Sequence, residues 1–264
     1  MKEIVIHSFE ELQQLVFDNC YDEKIGRYRN EFVYRGVFDA DFKLKSKLQR
    51  ICSHDLTLED SIIRNFIKYG YAELGETQSI YQKLALGQHH GLPTRLLDWS
   101  YSPLVAAHFA TQDIDKYDVD GAIYCLDVSK INRYLPSKLQ AYLKQNRTQF
   151  FSVASLDRFF PTLDDLRVYS KEPFFLFFEP ASQSDRIRNQ YALFSLVSDT
   201  NYLVNDLIPD DIGDDVFYKI IIPKEVKLEI RDKLDYINIS ERFIFADLDG
   251  VCSWITRRYA KLGK

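Results

Sequence analysis

The sequence predicts a single α+β domain in which a β-sheet is surrounded by helices. Apolar runs typical of buried strands and amphipathic runs typical of helices are both present, without a regular alternation along the 264 residues. Hydrophobic residues make up 46% of the chain, enough for a sizeable core. No long Gly, Ser or Pro linker divides it. We therefore expect one domain over residues 1–264, with residues 1–30 as a helical lead-in and residues 31–264 as the core.

The helices are predicted from apolar residues at helical spacing and from residues typical of helix starts. Ser102 followed by Pro103 is one such start, because serine caps free backbone amides and proline suits the first turn. The middle of the chain, residues 131–169, is expected to be helical and polar. The other predicted helices begin after Ser8, run from Thr57 to Gly75 and from Ser79 to Leu86, and span Lys224–Tyr236 and Leu248–Leu262.

The strands are predicted from short apolar runs bounded by turn residues. EFVYRG at residues 31–36 ends on an arginine and a glycine. GAIYCLDV at residues 121–128 does not alternate cleanly, which predicts a strand buried on both faces. Three further strands are expected at PFFLFFE from Pro173, QYALFSLV from Gln190 and VFYKIII from Val216.

Charge and cysteine spacing limit the classes of partner. Lys and Arg total 34 against 39 Asp and Glu, so the formal charge is −5 and nucleic acid is not expected as a partner. Cys20, Cys52, Cys125 and Cys252 lack zinc-ligand spacing, and isolated thiols fit a reducing cytosol. The N-terminus lacks the apolar core of a signal peptide, and no run approaches the roughly 18 apolar residues of a membrane span. We expect a cytoplasmic protein with no membrane partner and no bound metal.

Most of the polar residues that could form a functional site lie in three separated motifs. They are YRG at residues 34–36, QHHGLPTRLLDWSYSPLVAAHFA at residues 88–110 and FADLDG at residues 245–250. In order and rough spacing they resemble the FRG domain, and RIRNQYALFSL at residues 186–196 resembles a fourth segment of that family. The family usually has proline where Ala246 stands, which affects the shape of that turn.

The resemblance to the FRG domain implies a fold more directly than a function. The Arg-Gly pair at Arg35 is similar to the first strand of ADP-ribosyltransferases, in which such a pair holds NAD. Ser100 ahead of a helix and the later strand at Gln190 are similar to two further parts of that site. The resemblance thus implies an ADP-ribosyltransferase-like split β-sheet with NAD as a substrate. It also makes a bacterial or phage protein in a toxin or phage-defence setting a reasonable expectation.

Gln190 stands where those enzymes carry the glutamate that defines their reaction. Breaking the nicotinamide glycosidic bond builds positive charge on the ribose, which a carboxylate stabilises and an amide does not. Either another carboxylate such as Glu179 serves, or the domain binds a nucleotide without transferring ADP-ribose quickly. Arg186, four residues before Gln190, is expected to reach the same cleft.

Arg35 is the first candidate for binding a phosphate. Its guanidinium can fork onto two oxygens, and Gly36, which has no side chain, would let a ligand reach the backbone. The alternative is a structural arginine paired with an acidic residue such as Asp98. His89 and His90 are candidates for a general base or for a donor to a ribose hydroxyl. Neighbours on a strand point to opposite sides, so at most one of them is expected in a site.

The central motif also offers an aromatic plane and an ion pair. Trp99 either stacks on a base or belongs to the core, and Arg95 and Asp98 either bind a ligand or pair with each other. A zinc site that combined His108 with the two other histidines would lack a fourth ligand. The predicted catalytic set is Arg35, His89, His90, Gln190 and Glu179, and the predicted binding set is Tyr34, Gly36, Gln88, Thr94, Arg95, Asp98, Trp99, Ser100 and Arg186.

Two other functions stay open at this point. In the first, the domain is a non-catalytic interaction or regulatory module, its motif residues are structural, and its partner is a protein target. In the second, the domain is a metal-independent nuclease, an interpretation that the acidic charge of the chain opposes.

Overall fold

The computed structural model describes residues 1–17, 20–23, 25–29, 31–74, 79–180 and 185–261. In these ranges a large mixed β-sheet is surrounded by helices, which confirms the α+β class. None of the helices in these ranges is both long and apolar enough to cross a membrane.

The strands are drawn from the whole length of the chain. They are β1 (Lys2–Val5), β2 (Tyr21–Asp22), β3 (Arg27–Tyr28), β4 (Phe32–Val37), β5 (Leu96–Ser100), β6 (Gly121–Asp127), β7 (Phe151–Ser152), β8 (Phe175–Glu179), β9 (Ala192–Val197) and β10 (Phe217–Ile222). The main sheet has the order β1-β10-β6-β4-β5-β9-β8-β7, while β2 and β3 form a separate hairpin. Neighbours in the main sheet are antiparallel except for the edge pairs β1–β10 and β7–β8. The five strands predicted from the sequence are confirmed within two residues at each end.

The helices cover both halves of the main sheet. They are α1 (Phe9–Phe17), α2 (Lys47–Ile51), α3 (Leu58–Tyr69), α4 (Tyr71–Leu74), α5 (Ile80–His89), α6 (Pro103–Thr111), α7 (Val128–Ile131), α8 (Ser137–Asn146), α9 (Val153–Phe159), α10 (Leu163–Val168), α11 (Asp185–Asn189), α12 (Lys224–Tyr236), α13 (Glu241–Ile244) and α14 (Leu248–Tyr259). Helix α6 starts as predicted, because the hydroxyl of Ser102 accepts from the backbone N–H of Val105 and Pro103 is in the first turn. Helix α3 ends before Gly70, and the predicted helix ends at Gly75 and Leu262 lie outside the described residues.

The prediction of a helical lead-in over residues 1–30 is wrong in part. Helix α1 follows Ser8 as expected, but β1 precedes it and pairs in parallel with β10. The hairpin of β2 and β3 follows it. Strand β1 is four residues long and largely exposed at the sheet edge, so its sequence has no buried apolar run that would predict a strand.

Three apolar clusters form the core. On one face, α1, α6 and α12 pack on β4, β6 and β10, with Ala107, Ile123 and Ile220 at the centre. On the same face of the other half, helices α3, α5, α8, α9 and α10 pack on β5, β8 and β9. The opposite face carries a third cluster that includes Val33 and Trp99 and spans both halves. Strands β4 and β5 therefore lie between two groups of helices.

The junction between β4 and β5 is the weakest part of the sheet ladder. β4 pairs with β6 along its whole length, from Phe32 to Val37, and β5 pairs with β9 along its whole length. In contrast, the register between β4 and β5 consists of the single pair Tyr34 and Ser100 among the described residues. The two strands separate beyond that pair, which leaves room between them.

Candidate functional site

A cavity of about 180 Å³ lies where β4 and β5 separate. Strand β4, strand β5, the end of α5, helix α6, helix α11 and the start of β9 all contribute side chains to it. Ten of the predicted site residues line this cavity: Tyr34, Arg35, Gly36, Gln88, His89, Asp98, Trp99, Ser100, Arg186 and Gln190. Residues more than 150 positions apart in the sequence therefore meet at one place.

The guanidinium of Arg35 bridges the separated strands. Its Nη1 donates to the carbonyl oxygen of Asp98 and lies 3.8 Å from the Asp98 carboxylate. The predicted pairing of Arg35 with Asp98 is thus found, but it leaves the guanidinium facing the cavity. Burial lowers the pKa of Arg35, and the Asp98 carboxylate partly offsets this effect. An arginine stays protonated at physiological pH, so the cavity holds a cation.

Asp98 is the carboxylate of the cavity, and other side chains hold it in place. Gln88 donates from Nε2 to Asp98 Oδ2 over 2.8 Å. Thr94 in turn donates from its hydroxyl to Gln88 Oε1 over 2.6 Å. The Asp98 side chain is 46% exposed, so the cavity opens to solvent beside it. Thr94 itself is buried and outside the cavity, which makes it a positioning residue and not a binding residue.

Gly36 allows helix α6 to approach the sheet. A Cβ atom at this position would lie 1.9 Å from the carbonyl oxygen of Ala106 and 2.8 Å from the backbone nitrogen of Ala110. The sequence interpretation, in which Gly36 admits a ligand to the backbone, therefore needs correction. The missing side chain makes room for the helix, and Gly36 lines the cavity with its backbone.

Of the two adjacent histidines, only His89 lines the cavity. His89 is the last residue of α5, not part of a strand, while His90 caps the helix and is exposed. Burial, followed by the positive charge of Arg186, lowers the pKa of His89 below its usual range. A neutral imidazole offers one donor and one acceptor. His108 lies elsewhere, in a buried contact with Arg231, so the three histidines do not converge.

Arg186 enters the cavity from α11. Its guanidinium lies 4.6 Å from the centre of the Phe245 ring, which holds it by a cation–π contact. Among the described residues it has no hydrogen bond or ion pair with a protein acceptor within 4 Å. Burial lowers the pKa of Arg186, and the charges of Asp98 and Asp247 act in the opposite direction. The guanidinium N–H groups are therefore available to a ligand.

Gln190 lies in the turn that follows α11, two residues before β9. Its backbone is fixed at both ends, since its N–H donates to the Arg186 carbonyl and its carbonyl accepts from the Ser100 hydroxyl over 2.7 Å. The Ser100 hydroxyl also accepts from the backbone N–H of Ser102. Ser100 lines the cavity, but its hydroxyl holds two chain segments together.

Arg95 and Glu179, two of the predicted site residues, do not line the cavity. Arg95 does not pair with Asp98; it forms a buried ion pair with Glu59 and donates towards the Val197 carbonyl. Glu179 is exposed, accepts from the Tyr101 hydroxyl over 2.7 Å and does not line the cavity. Glu179 therefore does not supply the carboxylate that Gln190 lacks.

Trp99 is a core residue. Its indole packs against Phe177 at 5.5 Å between ring centres, and its Nε1 donates to the Ser195 hydroxyl over 2.9 Å. The side chain is almost wholly buried. Of the two interpretations of Trp99, the core one fits this geometry, because neither ring face is open for stacking on a base.

Residues 30–119 match the family model of the FRG domain. This match supports the resemblance of the chain to the FRG domain family over these residues. The matched range contains the YRG motif and the central motif, which together supply Arg35, Asp98 and the paired histidines. No curated protein and no solved structure matches the chain.

The cavity combines matched and unmatched parts of the chain. Arg186, Gln190 and Phe245 come from the two later motifs, beyond residue 119. A single FRG domain over residues 1–264 stays a prediction. Arg186 and Gln190 line the cavity and Phe245 contacts Arg186, so the later motifs contribute to the same site.

The turn at FADLDG differs from the one that a proline would form. Ala246 has φ of 55°, in the left-handed region, whereas the proline ring locks φ near −65°. Asp247 then caps α14, because its carboxylate accepts from the Gly250 N–H over 2.7 Å.

Sequence reasoning missed the apolar part of the cavity. Ala106 and Phe109 of α6 and Ala192 and Phe194 of β9 also line it. Phe109 lies within the central motif, and Phe245, which holds Arg186, lies within FADLDG. The aromatic residue in each of these two motifs was the sequence signal for the apolar part of the site, but a single aromatic residue usually belongs to the core.

The arrangement is suited to binding an anion that also carries hydroxyl groups. Two guanidinium groups face one carboxylate, and a neutral imidazole stands beside them. Guanidinium groups recognise phosphate oxygens, and a carboxylate accepts from hydroxyls. The local charge is thus positive although the chain as a whole is acidic.

Proposed function

We propose that the FRG domain binds NAD or a related nucleotide in the cavity between β4 and β5. The observation that carries the proposal is the convergence of Arg35, Arg186 and Asp98 on one opening that reaches solvent. Phosphate oxygens would lie on the two guanidinium groups, and a ribose hydroxyl would donate to Asp98. His89 lines the same cavity and would add a hydrogen bond to the same ligand.

The separation of β4 from β5 supports the comparison with ADP-ribosyltransferases. In the proposed split sheet, Arg35 on the first strand and Ser100 on the second face one cleft, with Gln190 ahead of a third strand. This is the arrangement that the FRG resemblance implied. The proposed likeness is one of fold, and function is argued from the site.

The amide of Gln190 favours a domain that binds NAD over one that transfers ADP-ribose rapidly. An amide supplies no negative charge to a developing ribose cation, and Glu179 lies outside the cavity. Asp98 is the carboxylate that lines it, and its Oδ2 already accepts from Gln88. We therefore propose an NAD-binding domain whose transfer or hydrolysis of ADP-ribose is slow, in a toxin or phage-defence setting.

The alternative, a non-catalytic interaction module, has one set of observations in its favour. Within the central motif, Thr94, Arg95, Trp99 and Ser100 are each bonded to other parts of the protein. These four predicted site residues of the motif therefore have structural bonds. Arg35 and Asp98 also bond within the protein, but they and His89 still face the open cavity.

Isothermal titration calorimetry with NAD, ADP-ribose and AMP tests the proposal. We expect wild-type protein to bind at least one of them, and Arg35→Lys to weaken that binding about ten-fold or more, since lysine cannot form a bidentate contact. Arg64→Lys, an exposed arginine away from the cavity, is the matched control and should bind as wild type. Absence of binding by all three ligands would remove the proposal. Equal weakening by the control would also contradict it.

A further inference from the structure

The cavity has an apolar part beside its charged part. Ala106 and Phe109 approach it from α6, and Ala192 and Phe194 from β9. A phosphate or a ribose gains nothing from such walls, whereas a flat unsaturated ring loses apolar surface to them. The ligand therefore has an aromatic group as well as an anionic one.

Gln190 leaves a hydrogen-bond donor unused at this place. The residue is 9% exposed, and its Nε2 is inaccessible to solvent and has no acceptor among the described residues. The bonds to Arg186 and Ser100 fix the main chain at this position, and the side-chain Nε2 is shielded from solvent. Buried polar groups almost always have a partner, and an exception calls for a ligand or a water. The donor therefore predicts an acceptor atom on the buried end of a ligand.

The size of the cavity limits the ring. A cavity of roughly 150 Å³ in a protein interior accommodates benzene. The cavity of about 180 Å³ therefore has room for one six-membered ring with a small substituent, whereas a fused purine would need more of this space. The rest of the ligand would extend past Asp98 into solvent, with its phosphate on the two arginines.

Building on the proposed function, we propose that the site selects nucleotides whose base is a single ring carrying a carbonyl group, and that the Gln190 side-chain amide recognises that carbonyl. Two sources share this chemistry, the nicotinamide nucleotides and the pyrimidine nucleotides. Purine nucleotides are disfavoured by ring size whether or not they carry a carbonyl. Gln190 is then the residue that determines base specificity, and Arg35 and Arg186 bind the phosphate of every nucleotide alike.

Calorimetric titration of the wild-type protein with four monophosphates tests the ring size. The ligands are nicotinamide mononucleotide, UMP, AMP and GMP. We expect one or both single-ring nucleotides to bind about ten-fold more tightly than AMP and GMP, a difference of about 1.4 kcal/mol. The tighter of the two identifies the source. AMP or GMP binding as tightly as both single-ring nucleotides would overturn the inference while leaving the proposed function standing. No binding by any of the four would also overturn the inference, and the proposed function would fall with it only if NAD and ADP-ribose did not bind either.

The role of the amide is tested with Gln190→Met, which keeps the length of the side chain and removes its hydrogen bonds. The variant should lose most of the preference for single-ring nucleotides and retain its affinity for AMP. Gln14→Met, on the exposed side of α1, is the matched control and should keep the preference. An unchanged preference in a folded Gln190→Met variant would contradict the inference. The wild-type comparison decides ring size even where this variant does not fold.

Discussion

The guanidinium of Arg35 donates to the carbonyl oxygen of Asp98 at the point where the ladder between β4 and β5 has stopped. In a continuous antiparallel register that follows from the pair Tyr34 and Ser100, Gly36 would lie opposite Asp98. The arginine instead satisfies the free carbonyl from the side. One side chain thus stabilises the separation of the strands and lines the opening that the separation creates.

Thr94 should affect binding although it does not touch the cavity. Its hydroxyl donates to Gln88, which holds Asp98, and accepts from the Leu96 N–H. Thr94→Val should lower the unfolding free energy by about 2 kcal/mol, because two buried groups lose their partner, and weaken NAD binding several-fold. Urea denaturation and calorimetry measure the two effects, and Thr94→Ser should restore both. Unchanged NAD affinity in Thr94→Val would contradict the positioning role.

Substitution of Glu59 tests whether Arg95 of the central motif is structural and not part of the binding site. It forms a buried ion pair with Arg95. Glu59→Gln should lower the unfolding free energy by about 3 kcal/mol, since the arginine is left as an uncompensated buried charge. NAD affinity, measured on the folded fraction, should stay near the wild-type value. A variant with normal stability and lost binding would place this pair in the site instead.

Gln190→Glu should convert a binder into a faster hydrolase. The carbon–nitrogen bond between nicotinamide and the ribose breaks, nicotinamide leaves with the bonding pair, and water adds to the ribose carbon and releases a proton. We expect release of nicotinamide from NAD to rise at least about ten-fold, because the new carboxylate stabilises the ribose cation. Chromatography measures the release, with Gln14→Glu as the control. Normal NAD binding without faster release would refute the alignment with transferases.

Replacement of Ala246 by glycine should stabilise the folded protein. Its φ of 55° is strained for a residue with a Cβ, and the residue is exposed, so no contact is lost. Ala246→Gly should raise the unfolding free energy by about 1 kcal/mol or less, whereas Ala246→Pro should lower it. Ala141→Gly, at an exposed position inside α8, is the control and should destabilise by about 0.5–1 kcal/mol. Destabilisation by glycine at position 246 would be the opposite of this expectation.

His108 should make the protein less stable in acid. Burial, and then the charges of Arg231 and Arg257, hold its pKa well below the usual range. As pH falls through about 6.5, the unfolded chain takes up a proton that the native state does not, so the unfolding free energy decreases. The lowered pKa of His89 acts in the same direction. Urea denaturation between pH 8 and 5 measures the slope.

His108→Gln should flatten that slope, because glutamine can still accept from Arg231 and does not titrate. His7→Gln, at an exposed position in the N-terminal segment, is the control and should leave the slope as it is. An equal slope in wild type and His108→Gln would show that another group dominates.

The elements that could be predicted from the sequence are those with a strong local pattern. β6 is a continuous apolar run that is buried throughout, and α12 has the predicted bounds Lys224–Tyr236. Strand β1 could not be predicted, because only its pairing with β10 makes its four residues a strand. α5 extends to His89, past its predicted end, because the glycine within it packs against Leu92 without needing a break.

The sequence predicts which residues form much of the candidate site, but not how their side chains are arranged. Arg35, His89, Asp98, Arg186 and Gln190 meet as expected. The role of Arg95 could not be separated from theirs, because its partner Glu59 lies 36 residues away and no local pattern marks it. For the same reason, a carboxylate on β8 was an equal candidate until the structure placed Glu179 on the surface and Asp98 in the cavity.

A crystal structure of the wild-type protein grown with saturating NAD tests the central claim most directly. The account predicts ligand density between β4 and β5, with phosphate oxygens about 3 Å from the guanidinium groups of Arg35 and Arg186. Density for NAD at another surface, with these two side chains and Asp98 unchanged around a cavity that the ligand does not enter, would contradict it.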